Sequence, residues 1–302
     1  TEITVCCGGT EAMIAAIMAV VDPGDEVVVF EPLYEIYAPD TALAGATTRS
    51  VTLHPPSADG DDWTYDSSEL SAAFNDKTRA IIINTPNNPT GKVFTRAELT
   101  EIAALCQRWN VIAIMDEIYD HILYGDATHV MMASIDAMRD RTITIGSLSK
   151  TFSVTGWRVG WTIAPADIAN AIRKVHEQLT VNPASPLQAA GAKALALPES
   201  YFNELRGSYA AKRRRLLGIL ERAGFVPFAP RGAYYIMADI SRFGFADSEA
   251  FATHLVTNIG VVALPGSAFF RVSDGGRQMM RFCFCKKDET LDLADARLAR
   301  LA

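Results

Sequence analysis

Lys150 lies three residues after Ser147 and eight before Arg158, in the stretch Ser147-Leu-Ser-Lys150-Thr-Phe-Ser-Val-Thr-Gly156-Trp-Arg158. A lysine in such a setting can become a lowered-pKa amine that forms a Schiff base with a carbonyl. A guanidinium grips phosphate bidentately, and Ser147 adds a hydroxyl. Asp116 ends the apolar run Val111-Ile-Ala-Ile-Met-Asp116 and leads into Glu117-Ile-Tyr119. An acid at the end of a buried strand is costly unless it meets a cation or donors. Asn88 sits in Thr85-Pro-Asn-Asn88-Pro-Thr-Gly91, where two prolines and a glycine fix a turn that aims it. Near the start, Cys6-Cys7-Gly8-Gly9-Thr10-Glu11 precedes a helical pattern. Small residues there let backbone N–H groups and the helix dipole hold a phosphate; a tight strand–helix turn is an equal alternative. Each feature alone has an ordinary reading as surface, cap or turn. Their combination points to a site.

The elements that must position these residues alternate between strand and helix. Strand patterns fall at 3–5, 26–30, 80–84, 111–116, 142–147 and 159–163, and helical patterns at 10–21 and 34–44. Thr95-Arg-Ala-Glu98 is a capping box opening a helix to about residue 109. Continuous apolar strands between helices predict an α/β fold with a mainly parallel sheet covered on both faces. Ligands of such sheets collect at the carboxyl ends of strands. The texture changes near residue 184: helices at 184–197 and 198–223 precede short strands at 234–238, 261–264 and 280–285 and helices at 247–258 and 288–301. We expect a large α/β domain over 1–197, a connecting helix over 198–224 and a small α+β domain over 225–302.

Composition excludes several classes. With 302 residues, 49% hydrophobic and 21% charged, the chain is globular and large enough for a second domain. A net charge of −7 argues against a nucleic-acid binder; the basic run Lys212-Arg213-Arg214-Arg215 reads as a solvated helix face. The longest apolar run, 12–21, is too short to span a bilayer, and no signal sequence is evident. Five cysteines, an odd number, read as reduced thiols in a cytoplasmic protein. Cys283 and Cys285 alternate on one strand face without a second pair of zinc-site spacing, so the expectation is buried small hydrophobes and no metal.

Asn88-Pro-Thr-Gly, Asp116-Glu-Ile-Tyr119, Ser147-Leu-Ser-Lys150 and Gly156-Trp-Arg158 together resemble the signature set of the class I/II aminotransferases, fold-type I enzymes that use pyridoxal 5′-phosphate. The resemblance spans essentially the whole chain. Arg141-Thr-Ile-Thr-Ile-Gly146 and Arg281-Phe-Cys-Phe-Cys285-Lys-Lys-Asp resemble the kynurenine–oxoglutarate/glutamine transaminase subgroup. The resemblance implies a fold-type I sheet of seven-stranded type, a homodimer, and amino acid and 2-oxo acid substrates. It makes Lys150 the Schiff-base lysine and proton shuttle and pairs Asp116 with the pyridine nitrogen. It places Tyr119 and Asn88 on the ring oxygen, and Gly9, Thr10, Ser147 and Arg158 on the phosphate. Tyr34, in Glu31-Pro-Leu-Tyr34, falls where the family stacks an aromatic on the ring; otherwise it reads as an amphipathic-helix aromatic. Arg281, otherwise a surface strand-end arginine, takes the role of clamping the substrate α-carboxylate, with Asn88 beside it.

Two departures from the family pattern stand out. The sequence as given begins almost at the phosphate loop, whereas the family carries an N-terminal segment that completes the pocket and reaches across the dimer. The large domain is therefore expected to be N-terminally incomplete. Thr180-Val-Asn-Pro-Ala184 also lacks the aromatic that kynurenine-preferring relatives place there. Aminotransfer is the leading expectation. The alternatives are a cysteine-conjugate carbon–sulfur β-lyase, since the same ring and lysine serve both, and a catalytically incompetent truncated module.

Overall fold

The runs Val27-Val-Val-Phe30, Ala80-Ile-Ile-Ile83 and Ala113-Ile-Met115 are buried at every position, so each strand they form must be covered on both faces. The computed structural model describes residues 1–57, 62–271 and 274–301. The first unit runs β1 (Ile3–Cys6), α1 (Gly8–Val20), β2 (Glu26–Glu31), α2 (Tyr37–Leu43), β3 (Thr47–Thr52), α3 (Ser67–Ala72), β4 (Thr78–Asn84), α4 (Arg96–Trp109) and β5 (Ile112–Asp116). It continues through β6 (Thr142–Ser147), α5 (Leu148–Thr151), β7 (Gly160–Ile163), α6 (Ala166–Leu179) and α7 (Ser185–Leu195). The long α8 (Glu199–Arg222) leads to β8 (Val226–Phe228), β9 (Tyr235–Asp239), α9 (Ser248–His254), β10 (Leu264–Pro265), β11 (Met279–Cys283) and α10 (Asp288–Leu298).

The seven-stranded sheet has the order β1-β7-β6-β5-β4-β2-β3. Only β7 runs against its neighbours, pairing antiparallel with both β1 and β6. Alternate residues feed two cores. Val27, Val29, Ala80, Ile82 and Ile114 pack with α1 and α6; Val28, Phe30, Ile81, Ile83 and Met115 pack with α3 and α4. The α/β architecture expected from the strand patterns is the one found. α4 starts on a complete capping box: Thr95 Oγ1 accepts the Glu98 N–H at 3.2 Å, and Glu98 Oε2 accepts the Thr95 N–H at 2.7 Å.

The second sheet is antiparallel, in the order β10-β11-β9-β8. Its core takes Leu216, Ile219 and Leu220 from α8 and Leu291 and Leu298 from α10. It also takes Tyr119, Ile122 and Tyr124 from the segment just after β5. The two units are thereby joined directly beside the carboxyl end of β5.

Several sequence expectations need correction. The helix expected over 34–44 starts only at Tyr37, leaving Tyr34 in an irregular segment; Pro39 fits because it falls in the first turn, where no intrahelical donor is needed. The strand expected over 261–264 shrinks to Leu264–Pro265. The helix expected over 247–258 is α only as far as His254, and Leu255–Ile259 winds as a π-helix. Cys6 and Cys106 are buried, but Cys283 and Cys285 are partly exposed, with their sulfurs 3.0 Å apart. Among the described residues no helix is long and apolar enough to cross a membrane.

Candidate active site

Three adjacent parallel strands end side by side. β4 delivers Asn84 opposite Asp116 of β5, Asp116 pairs with Ile145 of β6, and β6 ends at Ser147. This is the strand edge at which α/β sheets bind ligands. A cleft of about 200 Å³ opens there. Its walls include all ten expected residues: Gly9, Thr10, Tyr34, Asn88, Asp116, Tyr119, Ser147, Lys150, Arg158 and Arg281.

Asp116 is only 5% exposed. Its Oδ2 accepts the Tyr37 hydroxyl at 2.7 Å, and its Oδ1 accepts the Ile118 N–H at 3.4 Å. Burial pushes its carboxyl up to about 6, against the opposing effects of Tyr37, Ile118 and the Lys150 charge. A carboxylate in this position gains from a cationic partner in the cleft.

Lys150 projects from the short α5. Its Nζ lies 5.8 Å from the ring centroids of both Tyr119 and Tyr234. Burial lowers its ammonium pKa, while Cys285 and Asp116 act in the opposite direction and Arg158 adds to the lowering. Ser147 is the N-cap of α5, its Oγ accepting the Ser149 N–H at 3.0 Å and donating to Val159 O at 3.1 Å. Tyr119 is buried, its hydroxyl 3.2 Å from that of Tyr235. Burial raises its phenol well above the ordinary range.

The other wall is an anion cradle. α1 begins at Gly8 with no side-chain cap, so the first N–H groups of the helix are free of such a partner. Arg158 reaches across this end, its Nη2 donating to Cys7 O at 3.3 Å and to Thr10 Oγ1 at 3.5 Å. Its backbone is left-handed, with φ 53°. Gly8 has φ +84°, and a Cβ there would sit 2.4 Å from Arg158 Nη2. Only glycine admits the guanidinium this close to the helix start.

Arg281, on β11, comes from the second sheet. Its guanidinium lies 4.2 Å from the Tyr235 ring centroid and 4.7 Å from that of Phe269. Nη1 donates to Asn88 Oδ1 at 2.7 Å, and Nε is buried without a partner among the described residues. Asn84 in turn fixes Asn88: its Oδ1 accepts the Asn88 N–H at 2.6 Å while its Nδ2 donates to Asp116 O at 2.9 Å. Tyr34 meets the Tyr37 ring edge-on at 5.8 Å between centroids.

Sequence reasoning missed Gly8, Tyr37, Asn84 and Tyr235. Gly8 and Asn84 adjoin residues that were identified, and a second tyrosine three residues beyond Tyr34 was a readable signal. Tyr235 had none, because its place depends on the second sheet.

The family model of the class I and II aminotransferases matches residues 1–298. Kynurenine–oxoglutarate transaminase 3 of Rattus norvegicus is 40% identical over 317 residues, covering 97% of this chain and 70% of that protein. The solved structure of N-succinyldiaminopimelate aminotransferase from Mycobacterium tuberculosis is similar with a TM-score of 0.96 at 40% identity, covering 100% of this chain and 78% of that one. An aromatic aminotransferase from Pyrococcus horikoshii OT3 gives a TM-score of 0.92 at 35% identity, covering 100% and 79%. The chain belongs to the class I and II aminotransferases, pyridoxal 5′-phosphate-dependent enzymes of fold type I that transfer an amino group between an amino acid and a 2-oxo acid.

Proposed function

We propose that the strand-end cleft is the catalytic centre and that Lys150 is its covalent and proton-transferring residue. The observation that carries this reading is the convergence of Lys150, Asp116, Arg158 and Arg281, from four separate segments, on one cleft. The donor set fits a phosphorylated pyridine: an uncapped helix start and a guanidinium at one end, a buried carboxylate deep in the cleft, and an amine between aromatic rings. When bound, pyridoxal 5′-phosphate supplies an aldehyde for amines and an electron-withdrawing ring that stabilises charge at the substrate Cα.

In this reading Gly9, Thr10, Ser147 and Arg158 hold the phosphate. Asp116 keeps a proton on the ring nitrogen, and Tyr37 orients the carboxylate that does so. Tyr119 and Asn88 bond the ring oxygen, and Tyr34 covers the ring face. Lys150 Nζ takes the proton from the substrate Cα and returns it. Arg281 clamps the α-carboxylate, held by Asn88 and stacked between two rings so that its planar fork is pre-oriented. Residues 1–197 thus carry the cofactor, 198–224 connect, and 225–302 bring the substrate clamp.

We further infer a cytoplasmic homodimer. Trp157, Leu179, Val181, Leu195 and Leu197 leave exposed apolar side chains in one part of the sequence, as a pairing surface does. All five cysteines are free thiols. Relatives with different named amino donors share this fold, so the donor is to be found with a panel of amino acids against 2-oxoglutarate and pyruvate.

Lys150→Ala tests the assignment. Turnover should vanish and the visible absorbance of the covalently held cofactor should be lost, with the circular dichroism unchanged. Transamination at near the wild-type rate would remove Lys150 from the chemistry.

A further inference from the structure

Two nucleophiles beside the cleft have no part in the chemistry above. Cys283 ends β11 and Cys285 follows two residues later. Both are partly exposed along with Arg281, while Phe282 and Phe284 between them are buried. The three partly exposed residues therefore form one row at the period of an extended strand. The sulfurs are 3.0 Å apart, with either able to donate to the other. Both line a cavity of about 500 Å³ that shares Tyr235, Leu264 and Arg281 with the catalytic cleft. The sulfur pair therefore lines a cavity that is separated from the cleft by no more than these three shared residues.

The surroundings differ from those of the inert cysteines. Burial raises the thiols of Cys6 and Cys106 to about 12. At Cys283 the hydrogen bond from Cys285 favours the thiolate, and the charges of Lys286 and Arg281 add to it, against the effect of burial. Thiolate character and access together decide which cysteines oxidise. Two residues along a strand span about 6.5 Å, within the Cα separations of about 4.4–6.8 Å that a disulfide bridges. The Cβ atoms must also close to about 3.5–4.5 Å, so closure asks for a local contraction at Phe284, whose N–H bonds Tyr234 O at 3.1 Å.

We propose that Cys283 and Cys285 are an oxidisable dithiol, a modification site on the wall of the cleft that a peroxide converts to a reversible intrachain disulfide. The Cys283 thiolate attacks one peroxide oxygen; an S–O bond forms, the O–O bond breaks, and the departing hydroxide leaves as water after taking a proton. The Cys285 thiolate then attacks the Cys283 sulfur. The S–S bond forms, the S–O bond breaks and a second water leaves. Two thiols lose two electrons and two protons, and one peroxide is reduced to two waters.

The test treats the holoenzyme with hydrogen peroxide, blocks remaining thiols with iodoacetamide and maps the tryptic peptide 282–286, which holds both cysteines. The expected result is a peptide that has lost two hydrogens and escapes alkylation, with both thiols restored by dithiothreitol. A peptide that remains doubly alkylated while Cys7 oxidises, or one oxidised straight to sulfinic acid, overturns the proposal. In Cys285→Ser the same treatment should leave a sulfenic acid on Cys283 that dimedone traps, with no loss of two hydrogens. Phenylarsine oxide on the reduced wild-type enzyme supplies a measurement that needs no variant. It should protect both thiols of this peptide from alkylation together, and failure to protect them overturns the proposal equally.

Discussion

Asp116 is held in a state that the protein alone does not favour. Its carboxyl titrates at about 6 in the folded chain against an ordinary value of 3.8, because burial outweighs the Tyr37 and Ile118 hydrogen bonds. Between those values the folded state binds more protons than the unfolded state. Stability of the cofactor-free protein therefore falls as pH rises through this window and levels off above it. Asp116→Asn keeps an acceptor for the Tyr37 hydroxyl and removes the buried charge. At about 1.4 kcal/mol per tenfold, it should stabilise the cofactor-free protein by about 1–3 kcal/mol near neutral pH, with the gain fading towards about pH 4. The same change should cut the chemical step by orders of magnitude, since a buried charge pair contributes several kcal/mol at the reacting ring. Thermal melts and single-turnover rates across pH check both halves. A variant less stable than wild type at pH 7.5, with its rate intact, would make Asp116 a structural acid.

At the scale of elements, the phosphate cradle depends on how α1 is tied to α6. Glu11, in the first turn of α1, is buried; its Oε1 accepts from His176 Nδ1 at 2.7 Å and from Thr180 Oγ1 at 2.8 Å, while its Oε2 bonds the Cys7 N–H. One carboxylate thus sets the entry of α1 and the end of α6 together. Glu11→Ala takes the carboxylate from the buried His176 imidazole and removes the acceptor of the half-buried Cys7 N–H and of the Thr180 hydroxyl, which costs about 1–3 kcal/mol. Because Gly9 and Thr10 move with the helix start, cofactor affinity should fall by roughly tenfold. Denaturant midpoints and cofactor titration measure the two effects, and an unchanged midpoint would show the network to be idle. This tie also marks where sequence reading stops. β4 and β5 were legible because their apolar runs are local, and α4 because its capping box spans four residues. Lys150, Asp116 and Asn88 were legible because each ends or follows such a run. Glu11 and His176 are separated by 165 positions, and no local pattern pairs them. Tyr37 could be read from its place three residues beyond Tyr34, but its partner could not, since Asp116, 79 positions away, is chosen by the fold. β3, a strand reading Thr-Thr-Arg-Ser-Val-Thr at the sheet edge, lacks the apolar run that reveals a buried strand.

The whole molecule sets the distance between two half-sites. Asp116, Lys150 and the phosphate cradle belong to the seven-stranded sheet and the elements around it, whereas Arg281 belongs to the four-stranded one. The join between them runs through Gly91, whose carbonyl accepts from Arg231 N at 3.0 Å and Gly232 N at 2.8 Å. It also runs through the Leu123–Gly232 bridge and the Leu33 N–H donated to Phe269 O at 2.9 Å. Gly91 has φ +74°, and a Cβ there would lie 2.2 Å from Pro230 Cβ. Gly91→Ala therefore carries the left-handed penalty of about 1–2 kcal/mol plus about 1–3 kcal/mol of overpacking. The overlap is relieved most directly by pushing the Pro230–Gly232 segment outward. That shifts β9 and β11, and with them Arg281, relative to Lys150. The phosphate cradle and Asp116 have no bond to the moving segment, whereas Asn88 and Tyr119 are each tied to it by one hydrogen bond, to Arg281 and Tyr235. The expected outcome is a lowered melting temperature, a KM for amino acid raised several-fold and a cofactor affinity within about twofold of wild type, a difference of only about 0.4 kcal/mol. Cofactor affinity falling in step with the rise in KM would mean that the two half-sites do not separate along this join. An unchanged KM in a destabilised variant would mean that Arg281 is positioned without it.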